Sequence, residues 1–295
     1  MNEQLFFPLL AVLCLLACGK IITQRIGAGR HTRTPIDSIL YISVFFLFTS
    51  LAFLPPLFTA PLSGTVIAYA VGSAILNLGF QVCYTVALTS GPVGLTVLIS
   101  SLSMLVPILG ATFFLGESFG PLRIVGCALT LVALLLNTEF KKKEGGNSRK
   151  WGIAITLTFL FNGAASFWQK WFAVSPHGAS IAGYNFFSYF LAALLGLLLL
   201  LVLWKARGIT PSARPSRGLF GWCALVGLFL GSFQWFFTYS QRVLDASLLL
   251  PTFNGASTAL MTVIGILFFR ERPTVRRIVS TVVGVAAIVV FGFAK

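Results

Sequence analysis

Residues 181–204 read IAGYNFFSYFLAALLGLLLLLVLW, a run without Asp, Glu, Lys or Arg. A helix needs about 20 mostly apolar residues to cross the hydrocarbon of a bilayer, so this run alone predicts a membrane span. Nine further stretches read the same way: 5–22, 36–58, 65–88, 93–115, 122–136, 151–173, 219–240, 247–269 and 275–293. The stretch 122–136 is short, with Asn137-Thr138 as its natural extension. The polar connections between them are too short to hold a soluble domain.

Composition agrees with that count. Of 295 residues, 57% are apolar and 9% charged, and mean hydropathy is +0.92. A soluble domain carries roughly 25% charged residues because its surface faces water. This chain has too few, and its surface is expected to face lipid. The net charge of +14 does not mark a nucleic-acid binder, since the basic residues form neither a face nor a tail. Cys14, Cys18, Cys83, Cys127 and Cys223 all fall in apolar runs and read as small buried hydrophobes. Cys14 and Cys18 share a helix face but have no His or third Cys beside them, so no metal site is expected. Leu15-Leu16-Ala17-Cys18 looks like a lipoprotein cleavage site, yet Met1-Asn2-Glu3-Gln4 lacks the basic region of a signal peptide. The first run is therefore expected to stay as a helix.

Sixteen of the 21 Lys and Arg fall in alternate connections: Arg25, Arg30 and Arg33; Lys141, Lys142, Lys143, Arg149 and Lys150; Lys205, Arg207, Arg214 and Arg217; and Arg270, Arg272, Arg276 and Arg277. Only Arg123, Lys170, Arg242 and Lys295 lie on the opposite side, with Lys20 within the first run. Positive loops stay in the cytoplasm, which puts both termini outside a cell (plasma or inner) membrane.

The two halves of the chain resemble each other. Phe80-Gln81-Val82-Cys83-Tyr84-Thr85 matches Phe233-Gln234-Trp235-Phe236-Phe237-Thr238, and Phe114-Leu115-Gly116-Glu117 matches Phe269-Arg270-Glu271 with one residue deleted. Arg123-Ile124-Val125 then aligns with Arg277-Ile278-Val279. The expected fold is all-α and integral to the membrane, with ten helices as two repeats, 5–138 and 151–293, joined by a basic linker at 139–150. Five spans per half invert the second repeat relative to the first. Inverted repeats recur in secondary transporters, where two similar bundles rock about a site at their interface.

Two five-span halves, each with a Glu (Glu117, Glu271) between its fourth and fifth helices, resemble the EamA-like members of the drug/metabolite transporter superfamily. The resemblance covers nearly the whole chain and implies a ten-helix transporter. It also implies termini inside, against the charge distribution.

Polar side chains in membrane helices are functional candidates by default. Asn77, Gln81 and Tyr84 share one helix face, as do Asn162, Ser166 and Gln169, and Gln234, Thr238 and Gln241. In the repeat register Ser103 corresponds to Ser257 and Ser100 to Asn254. Two readings are open for all of them: bonding between packed helices, or lining of a substrate cavity. The candidate cavity set is Asn77, Gln81, Tyr84, Ser103, Asn162, Ser166, Gln234, Thr238, Asn254 and Ser257. Lys20 and Lys170 are placed near helix ends, where long side chains snorkel to headgroups; the rival reading makes one a partner for a substrate carboxylate. Glu117 and Glu271 precede helices and read as offsetting the positive ends of those helices, with a gating ion pair as the alternative. Pro107 and Pro251 are expected to kink their helices. No Asp or Glu lies mid-helix, which disfavours a cation exporter working through a buried carboxylate.

The expected function is therefore secondary transport, by export or exchange, of a small neutral or zwitterionic metabolite such as an amino acid. Efflux of drugs or quaternary cations is the alternative; a channel or a membrane-embedded enzyme is further off, as no nucleophile-and-base or metal constellation is present. No cofactor is expected. The expected partners are the metabolite and membrane lipid, with no nucleic acid, and the chain works as a monomer or a homodimer.

Overall fold

In hydrocarbon there is no water to satisfy a backbone N–H or C=O, so these runs are driven to bond within themselves as helices. The computed structural model describes residues 3–58, 62–137, 148–207, 216–269 and 274–293, and these form helices without a strand. They are α1 (Glu3–His31), α2 (Pro35–Leu51), α3 (Leu54–Leu57), α4 (Gly64–Ser90), α5 (Val93–Leu102), α6 (Leu105–Leu115), α7 (Pro121–Asn137), α8 (Ser148–Val174), α9 (Ile181–Arg207), α10 (Arg217–Val243), α11 (Ala246–Phe269) and α12 (Val275–Phe293). Seven stretches are long and apolar enough to cross a membrane, among them Phe6–His31, Gly64–Ser90, Leu95–Leu115 and Ile181–Ala206. Shorter apolar helices cover Ile36–Leu51, Pro121–Leu136 and Ile278–Phe293. The outer surface carries Phe113 and Phe114 at 78% and 72% exposure and a spread of exposed Leu and Val, an apolar surface suited to lipid and not to water. The chain is an all-α, multi-pass membrane protein.

Helix starts are set by capping. Thr34 accepts the Asp37 N–H at 3.1 Å, and the Asp37 carboxylate accepts the Thr34 N–H at 2.9 Å, a capping box that satisfies two orphan donors at the start of α2. Ser216 opens α10 in the same manner by accepting the Leu219 N–H.

Three expected boundaries need correction. The first helix does not end near residue 22 but continues to His31, because Thr23, Gln24 and Arg25 are polar without being helix breakers. The second stops at Leu51 and resumes only as α3; Pro55 and Pro56 have no N–H with which to continue the ladder. The fourth is broken into α5 and α6 at Ser103-Met104, since Pro107 cannot donate to the Ser103 carbonyl. There the backbone tightens to three-residue bonds, Met104 N–H to Ser101 O and Val106 N–H to Ser103 O. At Pro251 α11 continues unbroken. Residues 138–147 of the expected linker and 270–273, with Glu271, lie outside the described residues.

Close contacts fix the helix register. α4 runs against α8 with Gly72 beside Trp168 and Gly79 beside Phe161, and α1 runs against α10 with Gly19 beside Phe229 and Gly27 beside Trp222. α2 packs on α9 and α10, α4 also on α9, α1 on α11, α6 on α8, and α7 on α12. One apolar core gathers Phe6 and Leu13 of α1 with Leu248 of α11 and Phe291 of α12; another gathers Tyr41 and Phe45 of α2 with Tyr189 of α9 and Val226 of α10. The glycine contacts hold α4 against α8 and α1 against α10 at fixed depth, which positions the polar groups described next.

Candidate functional site

The polar residues of the helix interiors fall into two levels. The upper level lies at one end of the bundle, where α8 ends and the α6–α7 and α10–α11 connections meet. Gly116 takes φ +68°, ψ 21° at the end of α6, a left-handed conformation suited to glycine, and the turn it makes brings Glu117 to Lys170. The ion pair is 2.5 Å long, with side chains 9% and 3% exposed. Lys170 also donates to the carbonyls of Gln241 and Leu244, both at 2.7 Å. An ammonium has three donors, and all three are used. Glu117 accepts the Ala246 N–H at 2.6 Å with its second oxygen. The helix whose positive end it meets is therefore α11, across the molecule, rather than α7 that follows it.

Beside this pair, Arg123 lies 2.6 Å from Asp245 and donates to the Ser118 carbonyl, Ser118 Oγ and Ser247 Oγ. Two ion pairs thus clamp the α6–α7 segment to α8 and to the α10–α11 junction. Gln241, 1% exposed, lies against the clamp with neither side-chain amide atom bonded.

Just below, Gln169 donates to Gln234 Oε1 at 3.0 Å and to Thr238 Oγ1 at 2.9 Å, and Asn185 donates to Thr238 at 3.2 Å. Gln234 donates in turn to the Tyr189 hydroxyl. Asn185 and Tyr189 are members that sequence reasoning missed; the signal was an amide and a hydroxyl one turn apart in an otherwise apolar helix.

The lower level lies about two helical turns from Lys170 along α8. Asn162 donates to Ser103 Oγ at 2.6 Å and to the Ser100 carbonyl at 3.1 Å, which staples the broken helix to α8. Ser103 itself donates to the same Ser100 carbonyl. Asn77 is turned back on Ser73, Asn254 donates to Met104 Sδ, and Ser257 donates to the Asn254 carbonyl. In contrast, the side chains of Gln81, Tyr84, Ser166 and Lys20 have no hydrogen-bond or ion-pair partner among the described residues, and all four are half-buried. Tyr84 stacks on Phe80.

The snorkelling expectation is overturned for Lys170, which is buried in an ion pair instead of reaching headgroups. Lys20 lies eleven residues before the end of α1 and five before Arg25. The candidate residues therefore separate. Asn77, Ser103, Asn162, Gln234, Thr238, Asn254 and Ser257 bond within the protein, while Gln81, Tyr84, Ser166 and Lys20 have no side-chain polar partner among the described residues.

Two pockets lie elsewhere on α4. One of 440 Å³ is lined by Thr65, Ala68, Tyr69, Trp168 and Trp171, and one of 380 Å³ includes Leu78, Val82, Phe161 and Leu195. Both are almost wholly apolar and include none of the candidate residues.

No family model and no curated protein matches the chain. Solved structures do: one crystal structure superposes with a TM-score of 0.76 at 15% identity, over 98% of this chain and 99% of the other. A likeness at that identity carries the fold alone.

Proposed function

We propose that the chain is a secondary transporter of a small neutral or zwitterionic metabolite, working by alternating access between two inverted five-helix halves, as the EamA-like resemblance implies. The single observation that carries this reading is the division of the polar interior. A clamp of two ion pairs joins the halves at one end, while unbonded, partly accessible polar side chains lie deeper in the bundle. At 1.5 Å per residue, the register places both Gln81 and Lys20 roughly 15–20 Å below the clamp. That depth falls within a hydrocarbon layer roughly 30 Å thick, the region where transporters hold substrate.

The packing supports the repeat. Exchanging the first five spans for the second turns the α4–α8 contact into α10–α1, and α4–α9 into α10–α2; α2–α9 and α7–α12 map onto themselves. Ten crossings follow if the three shorter apolar helices span as well. The break between α5 and α6 belongs to the same picture, since discontinuous helices at mid-membrane recur around transporter sites. With the basic connections in the cytoplasm of a cell membrane, the clamp closes the outward face.

Counterflow in proteoliposomes tests the proposal. Saturable exchange of a labelled metabolite is expected, with Gln81→Ala raising the half-saturating concentration at least tenfold. A linear, non-saturating flux would mark a pore instead, and unchanged kinetics in Gln81→Ala would remove that residue from the cavity.

A further inference from the structure

Lys20 is the feature that a helix-packing account leaves over. The lipid face of α1 is marked by Phe7 and Leu15, 53% and 63% exposed. Lys20 lies five residues past Leu15, which is about 140° around a helix of 3.6 residues per turn. It shares a face with Leu13, 0% exposed, and with the buried Gly27, each seven residues away. That face points into the protein. Its neighbour Gly19 is pressed against Phe229 of α10. The side chain is thus directed inward, half-buried and without a polar partner among the described residues.

An ammonium inside a membrane span is costly, and it is tolerated where water or a counter-charge reaches it. The acids seen in the structure are engaged elsewhere. Glu117 and Asp245 are held in the clamp and Asp37 caps α2. Among the described residues no further acid is placed to face Lys20, and a carboxylate on a bound molecule would supply the counter-charge. One ammonium balances one carboxylate; a phosphate ester, at about two negative charges, would be left half-compensated. By the register of α4 on α8, Gln81 and Tyr84 lie at a similar depth, with no side-chain polar partner among the described residues.

We infer that the transported substrate carries one carboxylate and that Lys20 of α1 is the group that binds it. This rests on the transporter reading above and narrows it to small monocarboxylates, amino acids included. A cation or an uncharged polyol would leave Lys20 unneutralised in the loaded state.

The test is counterflow with the full-length protein in proteoliposomes, using a panel of amino acids and 2-hydroxy acids, each paired with its amide. The expected result is saturable exchange of at least one carboxylate, with the matching amide at least tenfold weaker. Lys20→Met should abolish that preference and Lys20→Arg should restore part of it, while both variants keep the wild-type melting temperature within a few degrees. Equal recognition of acid and amide, or full carboxylate exchange by Lys20→Met, overturns the inference. So does saturable exchange confined to neutral or cationic solutes, which would leave the transporter reading standing. Flux that saturates with no solute at all would bring down both.

Discussion

Lys170 and Glu117 show how partners, more than residue type, decide what a charge does in a membrane helix. Each is buried, and each is fully bonded only while the other is present. Removing one member of a buried pair leaves an uncompensated charge and costs about 3–5 kcal/mol, whereas replacing both is often nearly neutral. Glu117→Gln and Lys170→Met are accordingly expected to lower the melting temperature more as single changes than together. A double variant at least as unstable as the worse single one would show that the pair is not coupled. Asn162 acts differently, because its amide ties the broken fourth span to α8 through Ser103 Oγ and the Ser100 carbonyl, which Ser103 also satisfies. Asn162→Leu should cost about 0.5–1.5 kcal/mol, the net worth of a hydrogen bond, measurable as a lower unfolding midpoint. Unchanged stability would show that the break does not depend on this tie.

At the scale of elements, helix approach is set by a few small residues. A Cβ on Gly227 of α10 would lie 2.7 Å from Phe48 Cβ and 2.8 Å from the backbone of Phe48 and Thr49 on α2. Backbone cannot step aside as a side chain can, so Gly227→Ala is expected to force α2 and α10 apart at about 1–3 kcal/mol. Gly221→Ala, two turns away with nothing within 4 Å of the added atom, is the control and should be silent or slightly stabilising. Thermal unfolding of the two variants side by side checks this, and equal behaviour would mean that the α2–α10 contact is loose. The breaks after Leu51 and at Ser103 belong to this scale too. Both come from proline, which a count of apolar residues passes over because proline does not interrupt hydrophobicity.

For the molecule as a whole, alternating access requires the clamp to open in each cycle. Ser118 of the α6–α7 segment and Ser247 of α11 both hold Arg123, and Ser247 donates to the Ser118 carbonyl at 3.3 Å. In a background without the five native cysteines, Ser118→Cys with Ser247→Cys should be bridged by a short reducible dithiol reagent. Transport is expected to stop on bridging and to resume on reduction. Undiminished transport across the bridge would show that this end stays shut throughout the cycle.

What could be read from the chain by itself was the class of structure, the position of nearly every apolar helix, and the polar stripes, because lipid imposes one requirement on each segment separately: enough apolar length with its backbone bonded internally. The roles of the polar residues were not legible in that way. Asn162 finds Ser103 from 59 positions away, Gln169 finds Gln234 across 65, and Arg123 reaches Asp245 across 122. Such partners are set by helix register and depth, and a side chain carries no local mark of whether a neighbour will meet it. Tertiary packing alone separated Lys170, saturated in its clamp, from Lys20, which faces the interior with no counter-charge among the described residues.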